Sequence, residues 1–275
     1  MITFNKEHPY LLCMDSDGTV MDTMTIKHER CFGPCYLEVF NITKGKEDIL
    51  REWLDDNLYR KTRGINRFQG LDRIIEYSKK YGYSFLGYEE FHNWVITTKE
   101  FSVPSLTEYR KTAKELTTID LALLWSKRVN EEINKLPESQ AFKFVIESIK
   151  KASKHCDLVG VSSANLQAVE AEWINMGVMP YVKFLACQDK GNKSLIIKQS
   201  LENGYEKSKT IMLGDAPGDY KAAVDNDVYF YPIIPQHENE SWERFYNEVI
   251  DIIVEGKFDD KYQKQLLDEY WKALE

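Results

Sequence analysis

Two aspartates spaced by one residue, Asp15 and Asp17, open the run Asp15-Ser16-Asp17-Gly18-Thr19-Val20-Met21-Asp22-Thr23. The five residues before them, Tyr10–Met14, are an unbroken apolar stretch, the pattern of a central strand buried on both faces of a parallel sheet. The acidic pair therefore sits where that strand stops, and open α/β sheets bind ligands at the carboxyl ends of their strands. Two like charges in such a place repel unless a cation or a shared proton lies between them. Gly18 lets the backbone turn sharply after the pair. These residue types suit a nucleophilic carboxylate, a second carboxyl for proton transfer, and a hard metal ion.

Four further segments repeat the pattern of an apolar strand that breaks into polar residues. They are 157–161, ending at Ser162-Ser163-Ala164-Asn165; 182–187, ending at Gln188-Asp189-Lys190-Gly191-Asn192-Lys193; 210–213, ending at Gly214-Asp215-Ala216-Pro217-Gly218-Asp219; and 228–234, ending at Pro235. Helical patterns over 140–154, 166–175, 194–203 and 220–225 lie between them. Strands alternating with helices predict an α/β fold with a doubly wound, Rossmann-like parallel sheet. The stretch from Thr23 to about Pro137 breaks the rhythm. It reads as mostly helical, over 31–40, 46–59, 70–81, 88–99 and 106–133, with Trp53, Leu54, Phe91, Trp94 and Trp125 on the buried faces. The expected organisation is a core from residues 1–22 and 138–275 and an inserted helical cap from 23–137, with hinges near 22–24 and 136–137. Residues 241–275 read as one or two amphipathic helices closing the core, with Trp242, Phe245, Val249, Ile252 and Ile253 at roughly helical spacing.

The bulk composition narrows the function classes. With 36 basic and 44 acidic residues the net charge is −8, which argues against a general nucleic-acid binder. A small phosphorylated ligand needs only a local positive pocket. No apolar run approaches the ~20 residues of a membrane span, and no signal peptide is read at the N-terminus. Five scattered cysteines, Cys13, Cys31, Cys35, Cys156 and Cys187, supply no zinc-ligand pattern and fit small buried residues in a reducing, cytoplasmic setting.

Asp15-x-Asp17-Gly18-Thr19, Ser162 at a strand end, a Lys before a helix, and Gly214-Asp215-x-x-x-Asp219 follow one another in the order of four motifs, each at a strand end. In this the chain resembles the haloacid dehalogenase-like hydrolases over residues 10–23 and about 140–234. Within them it looks like the subgroup with a helical cap after the first motif, to which phosphoglycolate phosphatase and β-phosphoglucomutase belong. The resemblance implies that Asp15 is the nucleophile and that Asp17 is the general acid and base. It implies a magnesium ion held by Asp15, the backbone carbonyl of Asp17, and Asp215. Asp219 either touches the metal through water, orients a neighbour, or serves as an acidic first-turn helix residue. Ser162, with Ser163 and the N–H groups of the next turn, resembles the phosphate-binding element; the alternative for Ser162 is a plain N-cap. The motif lysine is Lys193, fixed by the start of a helix, with Lys190 as the alternative.

The cap carries a basic cluster, Arg60, Lys61, Arg63 and Arg67. One of its arginines, Arg63 or Arg67, could recognise an anionic group on a substrate through paired hydrogen bonds. Pairing with nearby acids such as Asp55 and Asp56 is the competing reading of the cluster. His28 is a second candidate for leaving-group recognition and His237 a third. The function expected from these residues is a magnesium-dependent phosphatase acting on a small phosphorylated metabolite through an aspartyl-phosphate. The alternatives are a phosphosugar mutase of the same superfamily and a catalytically silent phosphate-binding module. The sequence carries no signal for an oligomeric state.

Overall fold

The computed structural model describes residues 2–275. Five parallel strands form one sheet: β1 (Tyr10–Met14), β2 (Cys156–Val161), β3 (Phe184–Ala186), β4 (Thr210–Gly214) and β5 (Tyr229–Pro232), in the spatial order β3-β2-β1-β4-β5. The chain winds outward from β1 through β2 to β3, then crosses back to lay β4 on the other side of β1. The order of the strands reverses beside β1, and a crevice opens at the carboxyl ends of the two strands flanking such a reversal. β1 and β4 are those strands, with Leu11 opposite Thr210 and Met14 opposite Leu213.

The unbroken apolar character of β1 has a direct cause. Leu12 and Met14 pack into one layer with Leu158, Trp173, Ile211, Leu213, Trp242 and Phe245. Leu11 and Cys13 point the other way, into a layer with Val159, Val161, Ile196, Met212, Phe230 and Tyr270. Both faces are covered by helices, so neither set of alternate residues can be polar.

Contacts divide the chain into two compact units, Met1–Met24 with Glu138–Glu275, and Thr25–Pro137. The second is helical: α1 (Met24–Lys27, at its boundary), α2 (Gly33–Val39), α3 (Lys46–Leu54), α4 (Arg67–Ser78), α5 (Tyr88–Thr97), α6 (Val103–Arg110) and α7 (Thr117–Ile133). Its core is aromatic, built on Trp53, Phe68, Phe91, Trp94 and Trp125. The core unit continues with α8 (Val145–Ala152), α9 (Leu166–Asn175), α10 (Lys193–Leu201), α11 (Pro217–Val224), α12 (Glu238–Arg244), α13 (Ile250–Val254) and α14 (Asp260–Ala273).

Two helical expectations are corrected. The pattern over 140–154 yields a helix only from Val145, because the preceding residues pair with the loop after β1. Asp22 N–H donates to the Gln140 carbonyl (2.9 Å), Phe142 N–H donates to the Val20 carbonyl (3.2 Å), and Met21 bridges to Ala141. The pattern over 106–133 is two helices, α6 and α7, separated by a turn in which Lys111 and Thr112 N–H donate to Glu108 and Tyr109. Pro104 in the first turn of α6 and Ser102, which caps it by accepting from Ser105 N–H (3.2 Å), explain why that helix starts earlier than expected.

Candidate active site

The loop after β1 holds its shape through its own backbone. Asp15 N–H donates to the Leu213 carbonyl (3.0 Å), extending the β1–β4 ladder by one step. The Ser16 carbonyl then accepts three N–H groups, from Thr19 (3.2 Å), Val20 (2.9 Å) and Met21 (2.9 Å), and curls the chain tightly around it. Gly18 sits at φ +80°, and a Cβ there would lie 2.6 Å from Asp215 Oδ2 and 2.7 Å from Met24 Cγ. The position needs glycine on two counts, left-handed backbone and lack of room. The loop is thus pressed against the Asp215 carboxylate.

Asp215 follows β4 directly. Its Oδ1 accepts from the Thr19 hydroxyl (2.6 Å), which ties the two loops together. The next helix, α11, begins at Pro217, ahead of the expected pattern over 220–225, making Asp219 its third residue. Asp219 Oδ2 accepts the Ala216 N–H (3.1 Å), a first-turn bond that fixes the side chain, and its Oδ1 accepts from Lys193 Nζ. Two of the three readings of Asp219 therefore coexist: it caps the helix and it holds a neighbouring side chain.

Lys193 is the first residue of α10, whose N-cap Asn192 accepts the Leu195 N–H (2.9 Å). That start aims Nζ between Asp219 and Asp15 Oδ1, the latter at 2.9 Å. Lys190, in contrast, is half-exposed and pairs with its neighbour Asp189 at 3.2 Å. Asp15, Asp215 and Asp219 are all buried, and each offers an oxygen within 4.8 Å of the others. Burial pushes the Asp15 carboxyl well above its ordinary range, and only the Lys193 ammonium and its hydrogen bond pull the other way. Asp219 is raised for the same reason. Burial alone would lower Lys193, but the two carboxylates overcome it and keep the amine protonated.

Ser162 is buried at the end of β2. Its N–H donates to the Ala186 carbonyl (2.9 Å) and its Oγ accepts the Ala164 N–H (3.1 Å). Asn165 caps α9 by accepting from Gln167 (3.0 Å) and Ala168 (3.4 Å) N–H, so the cap function is filled without Ser162. Ser163 is exposed. Asp17 accepts from the Thr23 hydroxyl and is half-buried. Asp22 is exposed, with its N–H turned to Gln140.

In the helical unit, Arg60 pairs with Glu52 (2.8 Å), Asp56 (3.0 Å) and Asp55 (3.4 Å). Arg63 is buried and donates to the Leu58 carbonyl (2.8 Å). Arg67 donates to Asn130 Oδ1 (2.8 Å) and Ser126 Oγ (3.3 Å) and lies over the Phe32 ring. His28 is buried against Phe32 and Trp53, its Nδ1 accepting from Trp53 Nε1 (3.0 Å). His237 is exposed, 4.0 Å from Glu240.

Sequence reasoning passed over the residues behind the site. Trp173 Nε1 donates to Ser16 Oγ (2.9 Å), Trp242 Nε1 to the Thr19 carbonyl (2.7 Å), and the Tyr270 hydroxyl to the Asp215 carbonyl (3.0 Å). All three side chains are fully buried. In the sequence Trp242 reads only as part of an apolar stripe; a buried tryptophan or tyrosine that must find a partner for its N–H or O–H was the available signal.

No family model and no curated protein matches the sequence. Among solved structures, the chain is similar to a provisionally assigned phosphoglycolate phosphatase from Lactobacillus delbrueckii subsp. bulgaricus, at 15% identity and TM-score 0.51, over 82% of this chain and 85% of that one. It is also similar to a haloacid dehalogenase-like hydrolase from Streptococcus pneumoniae, at 12% identity and TM-score 0.49, over 85% and 90%. The fold is a Rossmann-like α/β core interrupted by a helical unit, and the first of these structures shares it over most of both chains. No helix among the described residues is long and apolar enough to cross a membrane.

Proposed function

We propose that this chain is a magnesium-dependent phosphomonoesterase of the haloacid dehalogenase-like type, acting on a small phosphorylated metabolite. The observation that carries the proposal is the buried cluster of Asp15, Asp215 and Asp219 around the Lys193 ammonium, at the carboxyl ends of β1 and β4. Three carboxylates against one ammonium leave two negative charges buried, and a divalent cation balances them. The donors are all hard oxygens, which suits magnesium. Asp219 has both oxygens engaged, by Lys193 and Ala216 N–H, so the ligands are assigned to Asp15, Asp215 and the Asp17 carbonyl. Bound there, magnesium supplies charge neutralisation for an incoming phosphate.

The protein's own groups then divide the work. Asp15 Oδ1 is held by Lys193, which leaves Oδ2 as the atom that attacks phosphorus. Asp17, as the carboxylic acid, gives its proton to the leaving oxygen as the P–O bond breaks. As the carboxylate it then takes a proton from the water that opens the aspartyl-phosphate, which restores both groups. Thr23 fixes the Asp17 side chain for both steps. Ser162 Oγ, whose hydroxyl hydrogen is not spent on Ala164, donates to a phosphate oxygen. Arg67 is the candidate for recognising an anionic group on the substrate: its partners Asn130 and Ser126 are neutral, whereas Arg63 holds the Leu58 carbonyl.

The test is release of phosphate from a generic aryl phosphate and a panel of metabolite phosphates, with and without magnesium. Turnover that needs magnesium and vanishes in Asp15→Asn supports the proposal. Absence of turnover across the panel, or full activity in Asp15→Asn, refutes it.

A further inference from the structure

The carboxylate assigned to the metal is anchored by the last part of the chain. Asp215 lies on the loop after β4, yet its main-chain carbonyl is held by the hydroxyl of Tyr270, on α14 near the C-terminus. Its side chain is held by Thr19, and the Thr19 carbonyl is in turn held by the indole of Trp242, on α12. So α12 and α14 grip Asp215 from two directions, each through a single fully buried aromatic donor. Neither ring is there for packing alone. Phe230 and Trp271 pack edge-on to Tyr270, and Phe245 edge-on to Trp242, contacts that phenylalanine would retain in large part. The hydroxyl and the indole N–H add direction: each fixes one peptide plane, and the peptide plane of Asp215 sets where its carboxylate points.

We propose that Tyr270 and Trp242 are positioning residues for the metal site, and that the C-terminal helices are a working part of it. The inference rests on the assignment of Asp215 as a metal ligand. Removing either donor takes a hydrogen bond from a buried carbonyl and lets the Asp215 loop shift to recover it. The carboxylate then loses its set position while remaining chemically intact. Loss of such an outer partner typically weakens metal binding about 10-fold to 100-fold.

The experiment measures binding of Mn2+ alone to the metal-free full chain by electron paramagnetic resonance, with no substrate present. Tyr270→Phe is expected to weaken affinity by roughly 10-fold or more while circular dichroism stays native. Trp242→Phe removes the other donor and repeats the test through the second arm should Tyr270→Phe fail to fold. Leu266→Ala, a buried α14 side chain with no link to Asp215, controls for loosening of the helix; it is expected to lower the melting temperature and leave Mn2+ affinity intact. Wild-type affinity in the folded donor variants, with binding abolished in Asp215→Asn, overturns the positioning role and leaves the metal assignment standing. Equal weakening by Leu266→Ala overturns it as well. Wild-type affinity in Asp215→Asn removes the metal assignment itself, and the positioning role with it.

Discussion

Lys193→Met isolates what a single ammonium does among buried carboxylates. In the wild type Nζ lies 2.9 Å from Asp15 and touches Asp219, with side chains only 15%, 7% and 0% exposed for Lys193, Asp15 and Asp219. At an effective dielectric constant of 20, one such contact is worth about 6 kcal/mol of attraction. Desolvation of both partners offsets part of that, and removing one member of a buried pair costs about 3–5 kcal/mol in practice. A domain's whole stability is about 5–15 kcal/mol, so the metal-free variant should be severely weakened. The loss has a definite pH dependence. Burial raises the folded Asp15 carboxyl above its unfolded value of about 3.9. Such a group favours folding fully below that unfolded value, and the contribution disappears as pH rises through the folded value. Without Lys193 the folded value climbs further, so the penalty is greatest in alkali and shrinks on acidification. Urea denaturation in metal-free buffer, followed by tryptophan fluorescence, should give a loss of about 3–5 kcal/mol at alkaline pH. The difference from wild type should narrow steadily toward acid. A loss under about 1 kcal/mol, the scale of an exposed ion pair, would refute the reasoning, as would a penalty that grows as pH falls.

Other perturbations test separate links. Asp17→Asn should lower kcat about 10²–10⁴-fold, the usual contribution of a general acid, with a smaller change in KM; steady-state kinetics on an aryl phosphate checks this. Gly18→Ala forces a Cβ against Asp215 Oδ2 and Met24 at positive φ, and a destabilisation of about 1–3 kcal/mol, read by chemical denaturation, should accompany weaker magnesium activation. Arg67→Ala should raise KM for the best substrate with little change in melting temperature, whereas Arg63→Ala should lower the melting temperature because a buried carbonyl loses its donor; a reversal of the two outcomes would reassign both residues.

The strands were readable because a parallel strand covered on both faces has no room for polar residues. β1 coincides with the apolar run Tyr10–Met14, and β4 starts where its run starts. Edges were less legible: β3 spans only Phe184–Ala186 of the apolar 182–187, since an edge strand pairs along one side and ends when its partner does. The start of α8 at Val145 was hidden because non-local pairing with residues 20–22 holds 140–142, and periodicity carries no information about a distant partner. The acidic residues and Lys193 could be listed from strand ends and helix starts. Their mutual distances could not, and neither could the donors Trp173, Trp242 and Tyr270, whose partners lie 157, 223 and 55 residues away.

The paired segments 20–22 and 140–142 bring the beginning and the end of the helical excursion to one spot on the sheet-bearing unit. Architecturally that spot behaves as a socket: whatever is plugged into it, the strand ends bearing Asp15, Ser162 and Asp215 and the helix start bearing Lys193 keep their own backbone support. Closing a longer or shorter excursion changes the chain entropy only logarithmically. Recombination at this junction can therefore exchange the excursion while leaving the buried carboxylates where they stand; under the proposed function, that gives the lineage a route to new ligand preferences without rebuilding the site of cleavage.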